Sequence, residues 1–240
     1  MKVCYNNIYL HHFFMCYFTS CVMRLIFSVF IFICTSLISC SNSYQQSQNL
    51  EIPINTIERA ENIYYRLGYT VSFNPELNIP NWVAWELNSS KLIERESRAG
   101  HFYPDPDIPR GIAVETGDYS NSGYDRGHMC PAADNKWDKQ AMRESFYMTN
   151  ICPQHHNLNR GDWKELEDDC RRWVEESGTI YIACGPILYK NDISYIGEER
   201  KIRLPNAFFK VILAGLDEGK PRAIGFIYKN TSGNNPLDHY

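Results

Sequence analysis

The sequence predicts an α+β domain built on a mainly antiparallel sheet. Three observations carry that prediction. Short segments rich in β-branched and aromatic residues precede one well-marked amphipathic helix, more such segments follow it, and turn-forming stretches separate them. The chain contains no internal repeat, and 240 residues suffice for one packed domain with appendages.

Apolar and polar residues alternate over Tyr69 to Asn74, which predicts a strand, and Asn81 to Leu87 reads as its partner across a connection containing Pro and Asn. Residues 89–98 are charged, and HFYPDPDIPRG from His101 to Gly111 holds three prolines, so this region is predicted as extended surface chain. Asp118 to Tyr124 is a run of turn formers. It leads into Asp125-Arg126-Gly127-His128, read as a tight turn in which Gly127 supplies a backbone conformation that other residues resist. Lys136 to Glu144 has helical composition, and Ser145 to Asn150 alternates like a strand. Asp162 is read as a helix N-cap, with Glu165 three residues on as a variant capping box. The helix it opens places Trp163, Leu166, Cys170 and Trp173 in one apolar stripe. Glu167 and Arg171, four apart, share a different face that is predicted to look toward the Asp-Arg-Gly-His turn. Thr179 to Cys184, Ala207 to Ala214 and Ala223 to Tyr228 read as three further strands, the last two separated by a turn-like DEGKP.

Residues 1–40 read as a leader. From Met23, read as the start, one positive charge at Arg24 precedes an uncharged apolar run from Leu25 to Ile38 and then Ser39-Cys40. That is the pattern of a signal peptide, and the run is short for a membrane span. Leu37-Ile38-Ser39-Cys40 also resembles a bacterial lipobox, in which Cys40 is acylated and anchors the mature chain to a membrane. An uncleaved N-terminal anchor is the competing reading. Either way the body is expected to be exported, to the cell envelope as a lipoprotein or to the periplasm or medium. Residues 41–50 are polar and uncharged, a flexible tether, and 51–240 form the domain. Without Lys2 and Arg24, 22 of the 24 basic residues face 28 acidic ones, a formal −6. Such a body does not hold a polyanion by bulk charge, so any such substrate needs a local basic patch and a metal.

Five of the nine cysteines lie in the leader; Cys130, Cys152, Cys170 and Cys184 remain. Four cysteines allow three pairings. A zinc site from Cys130, Cys152, His155 and His156 is the weaker reading, since no C-x-x-C pair is present.

The residues from Tyr124 to Arg172 concentrate the polar chemistry of a metal-assisted phosphodiesterase. Imidazole titrates near neutrality, so His128 is the candidate general base. Asn159 offers a neutral oxygen to Mg²⁺, which keeps most of its waters and needs few protein ligands. Glu167 can hold one of those waters, and Arg98 and Arg171 can present forked donors to phosphate. Each also has a structural reading: a hydrogen-bonded histidine, a turn-forming asparagine, a solvated ion pair.

Three stretches in order, Asp125-Arg126-Gly127-His128-Met129-Cys130-Pro131-Ala132-Ala133, Thr149-Asn150-Ile151-Cys152-Pro153-Gln154, and Asn157-Leu158-Asn159-Arg160-Gly161-Asp162-Trp163 with Leu166-Glu167 and Arg171, resemble the DNA/RNA non-specific endonuclease family of ββα-metal (His-Me finger) nucleases. The likeness extends more weakly from about Tyr69 to Tyr228. It implies a metal-dependent endonuclease that cuts DNA and RNA with little sequence preference, using Mg²⁺ that Mn²⁺ can replace. His128 takes the position of the general base, Asn159 that of the direct metal ligand, and Glu167 that of the residue holding metal-bound water. Arg171 and Asn150 fall where phosphate binding and site geometry are supported, and Arg98 matches a transition-state arginine. Arg126 and Arg160 are assigned to substrate, with Arg126 equally suited to bracing the turn, and His155 and His156 are surface residues. Cys130 and Cys152, inside two site motifs, imply either a disulfide beside the site or two buried thiols, with the disulfide favoured. Many family members are homodimers, and relatives continue beyond the point where this chain stops, Asp238-His239-Tyr240. The alternative function is an inactive nucleic-acid-binding or interaction module on the cell envelope.

Overall fold

In a computed structural model, residues 50–54 and 56–231 are described. The leader with Cys40, the tether except Leu50, and the chain end at Asp238–Tyr240 lie outside them. The principal sheet has six antiparallel strands in the order β1 (Asn62–Tyr65), β2 (Thr70–Asn74), β3 (Ile79–Leu87), β6 (Ile180–Ile187), β9 (Ala207–Ala214) and β10 (Arg222–Lys229). The predicted strand pair at Tyr69–Asn74 and Asn81–Leu87 is present as β2 and β3, with Thr70 opposite Ala84. Asn74 closes the turn between them by accepting from the backbone N–H groups of Glu76 and Leu77.

A second, two-stranded sheet carries the site motifs: β4 (Asp125–His128) pairs antiparallel with β5 (Ile151–Gln154). A third small pair joins β7 (Tyr195–Ile196) to β8 (Ile202–Arg203). Among the described residues the α-helices are α1 (Lys139–Ser145), the short α2 (His156–Arg160) and the long α3 (Asp162–Ser177). Strands β4 and β5 followed by α3 make the ββα frame. The apolar stripe of α3 packs as predicted: Trp163, Leu166, Cys170 and Val174 are buried, and Trp173 is half-buried. Trp163 meets Phe208 of β9 at 5.6 Å and Tyr228 of β10 at 6.2 Å, while Trp173 stacks on Phe226 at 6.4 Å. Burial of each large side chain stabilises this docking by about 1.5–3 kcal/mol.

Four expectations are corrected. The Asp-Arg-Gly-His segment is a strand, not a tight turn, and Gly127 has no positive φ. Its role is spatial: a Cβ there would lie 2.2 Å from Oε1 and 2.6 Å from Cβ of Gln154 across the pair. Ser145–Asn150 is not a strand but the end of α1 and a 3-10 turn over Met148–Asn150. The buried Asn150 side chain bends it, accepting from the Cys130 N–H and donating to the carbonyls of Cys130 and Ser145. Gly161, not Asp162, is the N-cap of α3. The preceding helix α2 runs into it, the Gly161 N–H donating to the Asn157 carbonyl, and Asp162 becomes the first helical residue. Finally, Cys130 and Cys152 form no disulfide: all four body cysteines are free and buried. Burial pushes the thiols of Cys130 and Cys152 well above the ordinary range, and those of Cys170 and Cys184 up to about 12. The described residues contain no group of three or more His, Cys, Asp or Glu placed to hold a metal, so the zinc reading finds no support.

Because the site strand depends on that close approach, Gly127→Ala is expected to destabilise the domain by roughly 1–3 kcal/mol, read as a lower urea midpoint at unchanged slope. An unchanged midpoint would mean that Gln154 can move aside at no cost.

Candidate active site

Where β4, α2 and α3 converge, a cleft of about 470 Å³ opens. Five basic side chains (Arg98, Arg126, Arg160, Lys164 and Arg171) line it with two carboxylates, Asp125 and Glu167. A cationic groove thus stands on an acidic chain, as the charge balance required of any polyanion site.

His128 ends β4 and is 8% exposed. Its ring packs against Phe146 at 4.8 Å, edge to face, and against Phe102 at 5.3 Å. Its carbonyl accepts from the indole N–H of Trp163 at 3.2 Å, which ties the strand to α3. Burial, aided by the charge of Arg98, lowers its pKa to about 3, well below the near-neutral titration expected from the sequence, so the imidazole is neutral over the physiological range. Its Nε2 is buried with no hydrogen-bond partner among the described residues, which leaves a ring nitrogen uncommitted.

Asn159, near the end of α2, donates its amide N–H to Asp125 Oδ2 at 2.9 Å. That bond assigns the amide's orientation and leaves the carbonyl oxygen as its unengaged end in the cleft. Asp125 also faces His156 at 3.2 Å and Arg160 at 3.5 Å. Against the upward push of burial, hydrogen bonds from Asn159 and His156 hold Asp125 below the usual carboxylate range. Glu167 projects from α3 into the same cleft, half-buried, and burial lifts its pKa to about 7 despite the opposing pull of Lys210. A neutral amide oxygen and a carboxylate sharing one cleft are the donor set a hard divalent cation with most of its waters retained would use.

The arginines differ in how they are held. Arg171 donates to Asp134 at 2.7 Å and to Asp168, which also pairs with Lys164 at 2.5 Å. Arg126 donates to the Thr116 carbonyl at 2.9 Å and lies over Phe102 and Tyr119, so it braces the strand while lining the cleft. Arg160 is exposed at the rim. Arg98 lies over Phe146 at 5.3 Å and has no ion-pair partner among the described residues, which leaves its fork available to an anion. Asn150 is fully buried and committed to the three bonds described above, so its place is behind the site rather than in the cleft. His155 and His156 are half-buried and exposed respectively, as expected of a surface connection.

The structure therefore brings His128, Arg98, Asn159, Glu167, Arg171, Arg126 and Arg160 to one cleft and sets Asn150 behind it. Sequence reasoning missed Asp125, Asp134, Lys164 and Lys210. Asp125 opens the first motif and Asp134 follows it directly, and Lys210 had a signal of its own, a lone charge inside the apolar strand AFFKVILA.

Fold and cleft together define a ββα-metal frame within an antiparallel α+β domain. The chain belongs to the DNA/RNA non-specific endonuclease family, whose model matches residues 46–240. It is 37% identical over 168 residues to the mitochondrial nuclease EXOG of Danio rerio, covering 66% of this chain and 48% of that protein. It is 36% identical over 190 residues to the mitochondrial Nuclease 1 of Schizosaccharomyces pombe, covering 72% and 59%. A nuclease of Nostoc sp. is 38% identical over 146 residues, covering 60% and 52%. The chain spans about half the length of the curated relatives it matches. A crystal structure of the EndoG/EndoGI complex superposes with a TM-score of 0.69 at 24% identity, covering 77% of this chain and 81% of that one, which supports the same fold.

Asp134 is buried between Arg171 and the Trp85 indole, which donates to it at 3.0 Å. Asp134→Ala would leave the buried Trp85 N–H without its acceptor and the half-buried Arg171 without one of its two carboxylates, and a loss of roughly 1–3 kcal/mol in urea unfolding is expected. A loss below about 1 kcal/mol would mean that the pair is solvated, as surface ion pairs are.

Proposed function

We propose that this protein is a magnesium-dependent endonuclease that hydrolyses phosphodiester bonds of DNA and RNA with little sequence preference, Mn²⁺ substituting for Mg²⁺. The observation that carries this reading is the pairing, in one cationic cleft, of a neutral uncommitted imidazole with an asparagine whose carbonyl Asp125 turns free. His128 accepts the proton of the attacking water. Asn159 and, through water, Glu167 would hold the ion, which when bound supplies charge neutralisation on the phosphoryl oxygens and assistance to the leaving oxygen. Arg98 and Arg171 bind the phosphate, Arg171 with its fork fixed by Asp134 and Asp168. Arg126 and Arg160 steer the backbone toward them. Contacts of this kind go to phosphate, which carries no sequence information, so weak base preference follows.

The leader reading adds that the protein is exported, anchored to a membrane by acylated Cys40 or released; family likeness adds a homodimer. Both rest on sequence. Labelled palmitate incorporated into wild type but not into Cys40→Ser is the result that supports the anchor, and label in neither counts against it.

Plasmid and RNA degradation with Mg²⁺ or EDTA tests the central reading. Wild type is expected to cut both substrates only with the metal, and His128→Ala to lose about 10²–10⁴-fold in rate while remaining folded. Asn159→Ala and Asp125→Asn are expected to raise the magnesium needed for half-maximal rate by about 10–100-fold. Unchanged titrations would remove both from the metal site. Folded protein that binds nucleic acid without cutting it would instead support the inactive binding module.

A further inference from the structure

Lys210 enters the account above only through its pull on Glu167, yet it is a buried cation inside a strand. It stands in the middle of β9 on the face packed beneath α3, 0% exposed, and its Nζ has no hydrogen-bond partner among the described residues. It does not line the cleft. An ammonium removed from water without hydrogen bonds is strongly unfavourable, so its charge must be met by other means.

The carboxylates of Glu167 and Asp134 attract it, against the downward push of burial, and two aromatic faces meet it. Nζ lies 4.2 Å from the ring centroid of Trp163 and 5.8 Å from that of Trp85. Each of these indoles spends its single N–H on a different half of the site. Trp163 donates to the His128 carbonyl at 3.2 Å. Trp85 donates to one oxygen of Asp134 at 3.0 Å, whose other oxygen holds Arg171 at 2.7 Å. A cation over an indole face is attracted by the ring's quadrupole, and in a low-dielectric interior it polarises the ring and strengthens the N–H as a donor.

We infer that Lys210 is a positioning residue for the reaction: seated between Trp163 and Trp85, its ammonium fixes the two indole donors that set His128 and Arg171 in register across the cleft. The inference rests on the nuclease reading for the reaction it serves. It does not make Lys210 a support of the fold. Without the ammonium, Asp134 still has Arg171 and Trp85, and Glu167 still opens to the cleft, so no carboxylate is left without a partner or water.

The test compares wild type with Lys210→Met, which keeps the stem and removes the charge, and with Trp85→Phe, which keeps a ring and removes the N–H. In Lys210→Met, Tm is expected to hold or rise, and kcat to fall by at least about tenfold while KM moves by less than about threefold. Trp85→Phe is expected to lower kcat in the same way. Wild-type kcat in Lys210→Met would overturn the inference, as would a fall in Tm with unchanged activity per folded molecule, which is what a merely structural lysine gives. A wild type that does not cut would count against the nuclease reading. Lys210 is then judged by the indole N–H resonances of protein labelled with ¹⁵N-tryptophan. Shifts at Trp85 and Trp163, with Trp137 and Trp173 unmoved, uphold its seat; unshifted resonances overturn it.

Discussion

The hydrogen bond from the Trp163 indole to the His128 carbonyl joins the two halves of the ββα frame. On one side stands the short β4–β5 pair, which is too small to be stable alone and owes its order to packing. On the other stands α3, pinned to the principal sheet through Trp163, Leu166 and Cys170. Where that bond holds, His128 on β4 shares the cleft with Glu167 and Arg171 on α3. The close approach at Gly127 and the triple hydrogen bonding of Asn150 serve the same end, since each fixes the strand that presents His128.

The electrostatics of the cleft are local. A chain with a formal net charge of −4 gathers five basic side chains around one groove and tethers three of them to carboxylates, Arg160 to Asp125 and both Lys164 and Arg171 to Asp168. Tethering holds the forks in place before an anion arrives, which lowers the ordering cost of binding. Burial acts in one sense on the two cleft groups, favouring the neutral form of each: it lowers the pKa of His128 and raises that of Glu167. A bound divalent ion would restore the charge on Glu167, so metal and carboxylate support one another.

Much of this was legible in the sequence, for reasons of period and motif. Alternation marked β2, its partner β3 was legible across the short connection, and the apolar stripe of α3 left Glu167 and Arg171 on the face that does line the cleft. The misreadings share one cause, tertiary contacts overriding local pattern. Gly127 reads as a turn former, but its missing side chain makes room for Gln154. Ser145–Asn150 alternates like a strand, but the hydrogen bonds of Asn150 curl it. Asp162 has the composition of a cap, but α2 ends so close to it that Gly161 takes the position. Cys130 and Cys152 sit in adjacent motifs, and sequence spacing cannot tell two buried thiols from a bridge. Lys210 went unread because a charge in a strand acquires meaning only when its neighbours are known.

The state of His128 before substrate arrives is the claim on which the rest turns. An NMR pH titration of histidine ring signals in metal-free buffer measures it directly, with His128→Ala identifying the resonance. A buried imidazole beside Arg98 should remain neutral well below the ordinary 6.5, toward a pKa of about 3. Titration near 6.5 would contradict the account, because the ring would then be solvated and the packed aromatic seat described here would not exist in solution.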